Sequence, residues 1–381
     1  MRIERVETFQ VAPRWLFVAI TTDDGITGWG EPVVEGRAAT VATAVAELSD
    51  YLIGSDPSRI EDTWQVLTKG GFYRGGPVFA SAVAGIDQAL WDIAGKRLGV
   101  PIYDLLGGAV RDRVRIYGWI GGDRPSELAA DAERQVAAGL TAVKMNGSEE
   151  LTAIDVPASL AHLVDRVAEV RGVLGDSRDI AIDFHGRYSP AMARRALPLL
   201  EPYFPLFVEE PVVPELSFQL GEIARATPIP IATGERLYSR WEFREVLASG
   251  IAVAQPDLSH AGGISEVRRI ASAAETYGVS LAPHCPLGPI ALASCLQVDF
   301  ATPNFLIQEQ SLGIHYNVQT DLLDYLLDRS VFTANDGYIE RPLGPGLGIE
   351  IDEKEVRRAA AAPHNWHNDI WRHADGSFAE W

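Results

Sequence analysis

The sequence predicts an α/β protein in which a barrel of alternating strands and helices follows a smaller α+β domain. Eight short apolar runs alternate with amphipathic helical patterns from about residue 114, and a closed barrel needs eight strands. Acids and bases recur just after these runs, at intervals of 22 to 27 residues, which is the length of one strand-plus-helix unit. The recurring residues are Asp183, Glu209, Glu235, Asp257, His284 and Glu309.

Residues 1–113 follow a different pattern, which predicts the α+β domain. Apolar and polar residues alternate in residues 3–22, and the turn Asp23-Asp24-Gly25 follows, as expected for antiparallel strands joined by a hairpin. Apolar residues in 79–98 recur at three-to-four spacing, and Gly99 stands where such a helix should end. Strands followed by helices indicate a domain of the α+β class.

Residues 114–312 form the predicted barrel, and its helices carry their own start signals. Ser189-Pro190 combines a capping serine with a first-turn proline, and residues 239–242 form a capping box. The alternation is lost after about residue 312. We expect residues 313–381, which include three tryptophans near the end, to pack back on the first domain. These are Trp366, Trp371 and Trp381.

Composition excludes several classes of partner. The chain has 381 residues, 47% of them hydrophobic, and a net charge of −19 without any Lys/Arg block. Nucleic acids and anionic membranes are therefore not expected as partners, because their binding requires positive charge. The N-terminus lacks the pattern of a secretory signal and no run of eighteen apolar residues occurs, so we expect a cytoplasmic protein. Cys285 and Cys295 are too few for a disulfide framework.

Three of the strand-end residues are carboxylates on successive strands. Asp183, Glu209 and Glu235 would meet at one end of the barrel, where they would repel one another without a cation. A hard divalent ion such as Mg²⁺ prefers carboxylate oxygens, so the sequence predicts a metal site there. Glu210 directly follows Glu209 and should face the opposite side of the strand, where we expect a structural role.

Two histidines accompany the predicted metal site. His185 lies two residues after Asp183, which on a strand puts both side chains on the same face. His284 ends the seventh predicted strand, where Asp257 on the neighbouring strand would orient its imidazole and make it more basic. By the same spacing rule Lys144 and Asn146 share a face. A hydrogen-bonded structural role is the alternative for any single histidine.

The strand-end carboxylates, together with the segments IDFHGR, QPDLSHAGGISE and LAPHCPLGP, resemble the enolase superfamily, in its mandelate-racemase-like branch. The resemblance spans the whole chain. It implies a modified TIM barrel of the (β/α)7β type with an α+β capping domain. It also implies abstraction of the proton next to a carboxylate in a small acid, here an acid sugar, with Mg²⁺ as the cofactor.

The resemblance further implies a role for each strand-end residue. Asp183, Glu209 and Glu235 would bind Mg²⁺. His284, oriented by Asp257, would be the general base, His185 the general acid, and Glu309 a hydrogen-bonding partner of the substrate carboxylate. The implied reaction is dehydration. Racemases of this branch carry a second lysine where this chain has Asn146, which speaks against racemisation.

Further residues are predicted to bind substrate, and two other expectations remain open. The capping loops and the loops at the barrel mouth would contribute these contacts. The predicted substrate-binding residues are Lys144, Asn146, Arg14, Trp15, Arg37, Tyr73, His260 and His315.

The resemblance also implies a homo-oligomer, with an octamer as one option. A barrel that binds sugar acids without catalysis is the alternative from another class, against which both histidines argue.

Overall fold

The N-terminal part of the chain is an antiparallel sheet covered by helices. The computed structural model of the protein describes residues 1–362, 364 and 366–381. Three strands pair in chain order, and Gly25 lies in the turn between the second and third with φ 87°, which glycine adopts without steric cost. The predicted hairpin is thus present. The elements are β1 (Ile3–Val11), β2 (Trp15–Thr22), β3 (Thr27–Gly30), α1 (Ala38–Leu48), α2 (Ile60–Lys69), α3 (Pro77–Leu98) and α4 (Ile102–Leu105).

The long helix α3 lies directly on β3. A Cβ atom on Gly30 would lie only 1.9 Å from the carbonyl oxygen of Gly85, and one on Gly28 would lie 2.1 Å from that of Ala89. Glycine therefore permits this close approach of helix and strand. The helix ends at Gly99, which has the left-handed φ of 70°, as the sequence predicted.

Eight parallel strands then close into a barrel. The first seven strands pair with their neighbours in chain order. A bridge between Leu281 and Phe305 connects the seventh strand to the chain that leads into the eighth, and the eighth strand pairs with the first. Seven helices, within the described residues, separate the eight strands, so the predicted (β/α)7β fold class is confirmed. The strands are β4 (Arg113–Ile120), β5 (Ala142–Asn146), β6 (Asp179–Asp183), β7 (Phe207–Glu209), β8 (Ile231–Thr233), β9 (Val253–Ala254), β10 (Ser280–Leu281) and β11 (Gln308–Glu309).

The barrel helices begin where the sequence placed their signals. Ser189 accepts a hydrogen bond from the backbone N–H of Met192 at 3.1 Å, and Pro190 occupies the first helical position. Ser239 likewise caps the helix that begins at Arg240. The helices are α5 (Leu128–Ala137), α6 (Pro157–Leu174), α7 (Pro190–Leu200), α8 (Leu220–Arg225), α9 (Arg240–Leu247), α10 (Gly263–Thr276) and α11 (Pro289–Ala301).

One residue from each strand region fills the interior of the barrel. These residues form a separate buried cluster, in which small side chains lie beside large ones. Because side chains alternate between the two sides of a strand, the residue two positions further along each strand also points inward, one layer closer to the mouth. The interior residues are Tyr117, Ala142, Ala181, Phe207, Ala232, Val253, Ala282 and Ile307.

Buried carboxylates join the N-terminal part to the barrel. Glu31, just after β3, accepts hydrogen bonds at 2.7 and 2.9 Å from the backbone N–H groups of Gly288 and Ala291, at the start of α11. Asp87 of α3 accepts two from Ser265, at 2.9 Å from its N–H and 2.6 Å from its hydroxyl, at the start of α10. Both acids thus supply acceptors to the free N–H groups of a helix N-terminus.

Asp87 should make the stability of the protein fall as pH rises. Burial raises its pKa to about 7, against the hydrogen bonds from Ser265, which lower it. The folded state therefore holds a proton that the unfolded chain, with a pKa of about 3.9, releases. This contribution is fully present below pH 4 and is lost as pH rises through 7, by at most about 1.4 kcal/mol per pH unit.

We expect Asp87→Asn to remove that dependence. Denaturant unfolding of both proteins at pH 5, 6, 7 and 8 should show the variant gaining stability relative to the wild type as pH rises. Asp62→Asn, at a position whose side chain is 56% exposed, is the matched control and should leave the dependence unchanged. A constant difference between wild type and Asp87→Asn at all four pH values would contradict the prediction.

The last part of the chain contacts both the sheet and the barrel. β12 (Ala334–Asn335) and β13 (Tyr338–Glu340) extend β4, and α12 (Glu353–Ala360) lies near β1, where Arg357 pairs with Glu7 at 3.1 Å. Residues 366–381 instead reach the barrel mouth, where Trp366 and Trp381 line a cavity. No helix in the described part of the chain is both long and apolar enough to cross a bilayer.

Candidate active site

Three carboxylates meet at the carboxyl ends of neighbouring barrel strands. Asp183 ends β6 directly opposite Glu209 of β7, and Glu235 follows β8. Asp183 and Glu209 each lie two residues beyond an interior residue, so strand alternation brings them inward. One oxygen of each carboxylate lies within 4.8 Å of the others, and the residues are at most 8% exposed.

This cluster has the character of a site for a divalent cation. Asp183 Oδ2, Glu209 Oε1 and Glu235 Oε2 accept no hydrogen bond from the described residues. Burial, with the neighbouring carboxylates, raises the pKa of Glu209 well above its ordinary value and that of Glu235 to about 7. Closely spaced carboxylate oxygens that repel one another suit a hard divalent ion, so the cluster can hold such a metal.

Lys144 lies among these carboxylates. Its Nζ lies 2.8 Å from Glu209 Oε2, 3.0 Å from Glu309 Oε1 and 3.3 Å from Asp183 Oδ2, and the residue has no exposed surface. Burial lowers the pKa of Lys144, but the carboxylates outweigh it and raise the pKa well above the ordinary value. The ammonium therefore offsets part of the negative charge, whereas the sequence predicted a contact with substrate.

His284 is held by Asp257. The two residues form a bridge between neighbouring strands, and Nδ1 of His284 lies 2.8 Å from Oδ2 of Asp257. Asp257 also accepts a hydrogen bond at 2.6 Å from the backbone N–H of Ser259, which fixes its carboxylate. A carboxylate on Nδ1 keeps a proton there and leaves Nε2 to exchange protons with a ligand.

Carboxylates dominate the electrostatics of His284. Burial lowers its pKa, but Glu235 and Glu309, at 3.5 and 3.9 Å from Nε2, together with Asp257, raise it well above the ordinary value. A cation held by Glu235 would offset part of this effect. The neutral form, which accepts a proton, would then become more populated.

His185 reaches the cavity from the other side of Glu235. Its Nε2 lies 3.8 Å from Glu235 Oε1, whereas His284 approaches Oε2. Strand alternation does not bring it there, because β6 ends at Asp183 and His185 has the left-handed φ of 51°. Instead, His185 is positioned by a turn in which its backbone N–H donates to Asp183 Oδ1 at 2.7 Å. The prediction that strand alternation puts Asp183 and His185 on the same face is therefore wrong.

Arg187 contacts the far side of the His185 ring. Its Nη2 lies 3.3 Å from Nδ1 of His185. Because a guanidinium only donates, Nδ1 acts as the acceptor and the ring proton lies on Nε2, which faces the cavity. Burial, aided by Arg187, lowers the pKa of His185 to about 3, so the imidazole is neutral.

A cavity of about 230 Å³ brings these groups together. Asp183, Glu235, His185 and His284 all line it. Glu309 does not, because it has no exposed surface and its oxygens accept hydrogen bonds from Trp119 Nε1 at 2.5 Å and the N–H of Cys285 at 2.8 Å. Its contact with a substrate carboxylate stays a prediction.

The eight predicted substrate-binding residues fall into three groups. Arg14, His260 and His315 line the cavity. Lys144 and Asn146 are buried beside the carboxylates, and Asn146 donates a hydrogen bond to the carbonyl of Gly122 at 3.1 Å. The remaining three lie outside the cavity: Trp15 is packed against Phe17 and Tyr325 with 0% exposure, Arg37 is exposed, and Tyr73 is 93% exposed.

Sequence reasoning missed several residues that line the cavity. Trp119 lies two residues beyond the interior residue Tyr117, so the alternation rule was sufficient to find it. Asp123 follows the first barrel strand and accepts a hydrogen bond from the Tyr316 hydroxyl. Trp366 and Trp381 belong to the residues that were expected to pack on the first domain. Their distance along the chain from the barrel gave no signal that they line the cavity.

Comparison with known proteins covers both parts of the chain. Residues 5–107 match the mandelate racemase / muconate lactonizing enzyme N-terminal domain, and residues 127–355 match the enolase C-terminal domain-like family. Curated relatives named D-galactonate dehydratase, from Ralstonia nicotianae and Variovorax paradoxus, are 55% and 54% identical over 100% of both chains.

Solved structures show the same architecture. An enolase from Agrobacterium radiobacter, crystallised with bound Na and L-malate, superposes with a TM-score of 0.91 at 34% identity and 100% coverage of both chains. A mandelate racemase/muconate lactonizing enzyme from Jannaschia sp. CCS1 gives a TM-score of 0.88 at 30% identity, covering 97% of this chain and 100% of its own.

Proposed function

The chain belongs to the mandelate racemase / muconate lactonizing enzyme family of the enolase superfamily, and we propose that it dehydrates D-galactonate to 2-dehydro-3-deoxy-D-galactonate. The observation that carries this proposal is the placement of His185 and His284 on opposite oxygens of Glu235, facing one cavity. Elimination of water needs a base and an acid at adjacent carbons. Relatives that share more than half of their residues with this chain bear the name of that activity.

The first chemical difficulty is the low acidity of the C2 proton. Its removal next to an ionised carboxylate creates a second negative charge, so the site must place positive charge where that charge develops. We propose that Asp183, Glu209 and Glu235 hold Mg²⁺, which would supply this charge, a contribution on the order of several kcal/mol. The buried ammonium of Lys144 adds a fixed positive charge beside the same carboxylates.

His284 is the proposed base. Its Nε2 faces the cavity while Asp257 holds Nδ1, so a proton taken from C2 onto Nε2 gives an imidazolium paired with a buried carboxylate. That pairing stabilises the charged product of the transfer. Asp257 thus keeps the imidazole in the correct tautomer and orientation.

His185 is the proposed acid. Hydroxide is a poor leaving group, so a proton must reach the C3 oxygen as its bond to carbon breaks. Arg187 at Nδ1 leaves the single ring proton of the neutral His185 on Nε2, toward the cavity. Transfer of that proton to the leaving oxygen would give an imidazolate, whose charge the guanidinium of Arg187 would stabilise. The C2–H and C3–O bonds break, a C2–C3 double bond forms, water leaves, and the resulting enol becomes the 2-keto acid.

The charges of other residues that line the cavity favour a substrate with one carboxylate. Arg14 pairs with Glu35 at 2.6 Å, and His260 Nε2 lies 3.7 Å from the same carboxylate. His315 lies 3.5 Å from Asp123. The guanidinium of Arg14 is thus already matched by an acid, and each imidazole also faces one, so these residues suit hydroxyl groups better than a second carboxylate.

Purified protein should convert D-galactonate to a 2-keto acid in the presence of Mg²⁺. The assay compares a panel of aldonic acids, D-gluconate among them, with chelator-treated protein as the control, which should lose activity and regain it on addition of Mg²⁺. No keto acid from any member of the panel would remove the proposed function. Activity on D-gluconate alone would mean that the substrate is this epimeric acid and not D-galactonate.

Two alternatives are distinguished by the same assay. Deuterium uptake at C2 without dehydration would favour a racemase or epimerase, although Asn146 cannot act as the second base. Binding of acid sugars without exchange or dehydration would favour a non-catalytic barrel. A homo-oligomer, an octamer among the options, and a cytoplasmic location stay predictions.

A further inference from the structure

A segment far from the barrel in sequence forms part of the cavity wall. We call residues 366–381 the C-terminal segment. Trp366 and Trp381 of this segment line the same cavity as the two histidines. The proposed reaction assigns no role to either tryptophan.

The C-terminal segment is anchored by a buried tryptophan. Trp371 is 6% exposed and lies over two guanidinium groups, those of Arg124 at 4.1 Å and Arg187 at 4.5 Å from its ring. Such cation–π contacts stabilise most when they are shielded from water. Arg187 also contacts His185, so the anchor is attached to a residue of the active site.

A hairpin then brings the chain back to the cavity. The N–H of Ala379 donates to the carbonyl of Trp371 at 3.1 Å, and the N–H of His373 donates to that of Ser377 at 3.0 Å. Glu380 lies 3.9 Å from Arg236, which itself pairs with Glu210. Trp381 follows directly after these contacts, which hold the chain beside it in place.

The indole of Trp381 covers the ring of the proposed acid. Its centroid lies 5.3 Å from that of His185, at an interplanar angle of 55°, and 6.4 Å from that of Tyr316. These separations are those of packed aromatic pairs. A rigid apolar side chain therefore lies beside the ring that would meet the leaving hydroxyl.

We propose that Trp381 is a specificity-determining residue, whose indole packs against the part of the substrate beyond C3 and keeps solvent away from His185. This proposal rests on the proposed function. An apolar wall lowers the number of water molecules that compete with the substrate hydroxyl for the His185 proton. Without it, the substrate should bind less tightly, and the deprotonated substrate should return to starting material more often before hydroxide leaves.

Trp381→Ala should therefore change two kinetic quantities. We expect KM for D-galactonate to rise about tenfold, because contact and water exclusion are both lost. We also expect the ratio of dehydration to C2 deuterium exchange, measured in D₂O, to fall several-fold. Trp381→Phe, which keeps an aromatic ring, should restore most of both quantities.

Phe378→Ala is the matched control. Phe378 belongs to the same hairpin but is 61% exposed and does not line the cavity, so both quantities should stay at wild-type values. Thermal unfolding of all three variants separates a general loss of structure from a local effect. Wild-type KM and an unchanged ratio in folded Trp381→Ala would overturn the proposal, and so would equal defects in Trp381→Ala and Phe378→Ala.

A binding measurement separates this proposal from the proposed function. Calorimetric titration of D-galactonate, with Mg²⁺, into His284→Asn and into His284→Asn/Trp381→Ala requires no turnover. An affinity about tenfold weaker in the double variant supports the role of Trp381, whatever reaction the wild type performs. Equal affinities, or no binding to either protein, overturn it.

Discussion

His284→Asn should abolish both dehydration and C2 proton exchange, by on the order of 10³-fold or more. An asparagine amide occupies the Nδ1 side of the imidazole, where it can still donate to Asp257, which lies 2.8 Å from Nδ1. It places no group at the position of Nε2, the atom that faces the cavity. The variant should therefore keep its fold and its bound metal while losing the base.

The measurement follows keto acid formation and deuterium uptake at C2 in the same reaction. His162→Asn, an exposed position on α6, is the control for a histidine-to-asparagine change and should behave as the wild type. Persistent deuterium exchange in folded, Mg²⁺-binding His284→Asn would mean that another residue removes the proton.

His185→Asn should separate the two halves of the reaction. Dehydration should fall by about 10² to 10⁴-fold, which is the usual contribution of a general acid, because no proton reaches the leaving hydroxyl. C2 exchange should persist, since His284 and its contact with Asp257 lie on the opposite side of Glu235. Substrate recovered from D₂O should carry deuterium at C2 while little keto acid forms.

The control for this variant concerns the metal cluster. His185 lies two residues from Asp183, whose Oδ1 accepts the backbone N–H of residue 185, and an asparagine at 185 retains that N–H. Mg²⁺ affinity, measured by calorimetry, should thus stay near the wild-type value. Equal loss of exchange and dehydration, with metal binding intact, would argue against the assignment of His185 as the acid.

Local rules reached much of this site from the sequence. The interval between strand ends identified Asp183, Glu209 and Glu235, and the structure places one oxygen of each within 4.8 Å of the others. Strand order predicted that Asp257 would lie against His284, and the 2.8 Å contact confirms their proximity. Both predictions work because parallel strands of a barrel end at one rim with inward side chains in phase.

The same rules fail where a side chain depends on contacts rather than on period. Lys144 was predicted to bind substrate, but its ammonium is engaged by three carboxylates. Trp15 lies near a predicted loop but is fully buried in the core. His185 reaches the site through a left-handed turn that no periodicity describes.

The sequence by itself determined the barrel, the strand ends and the residues at them, because hydrophobic period and capping signals act over a few neighbouring residues. Only the tertiary structure decided which groups share the cavity. Trp381 lies nearly 200 residues from His185 in the chain, and their contact arises from an anchor on Arg187 and a hairpin. Contacts over such separations depend on how whole elements pack, which no local pattern encodes.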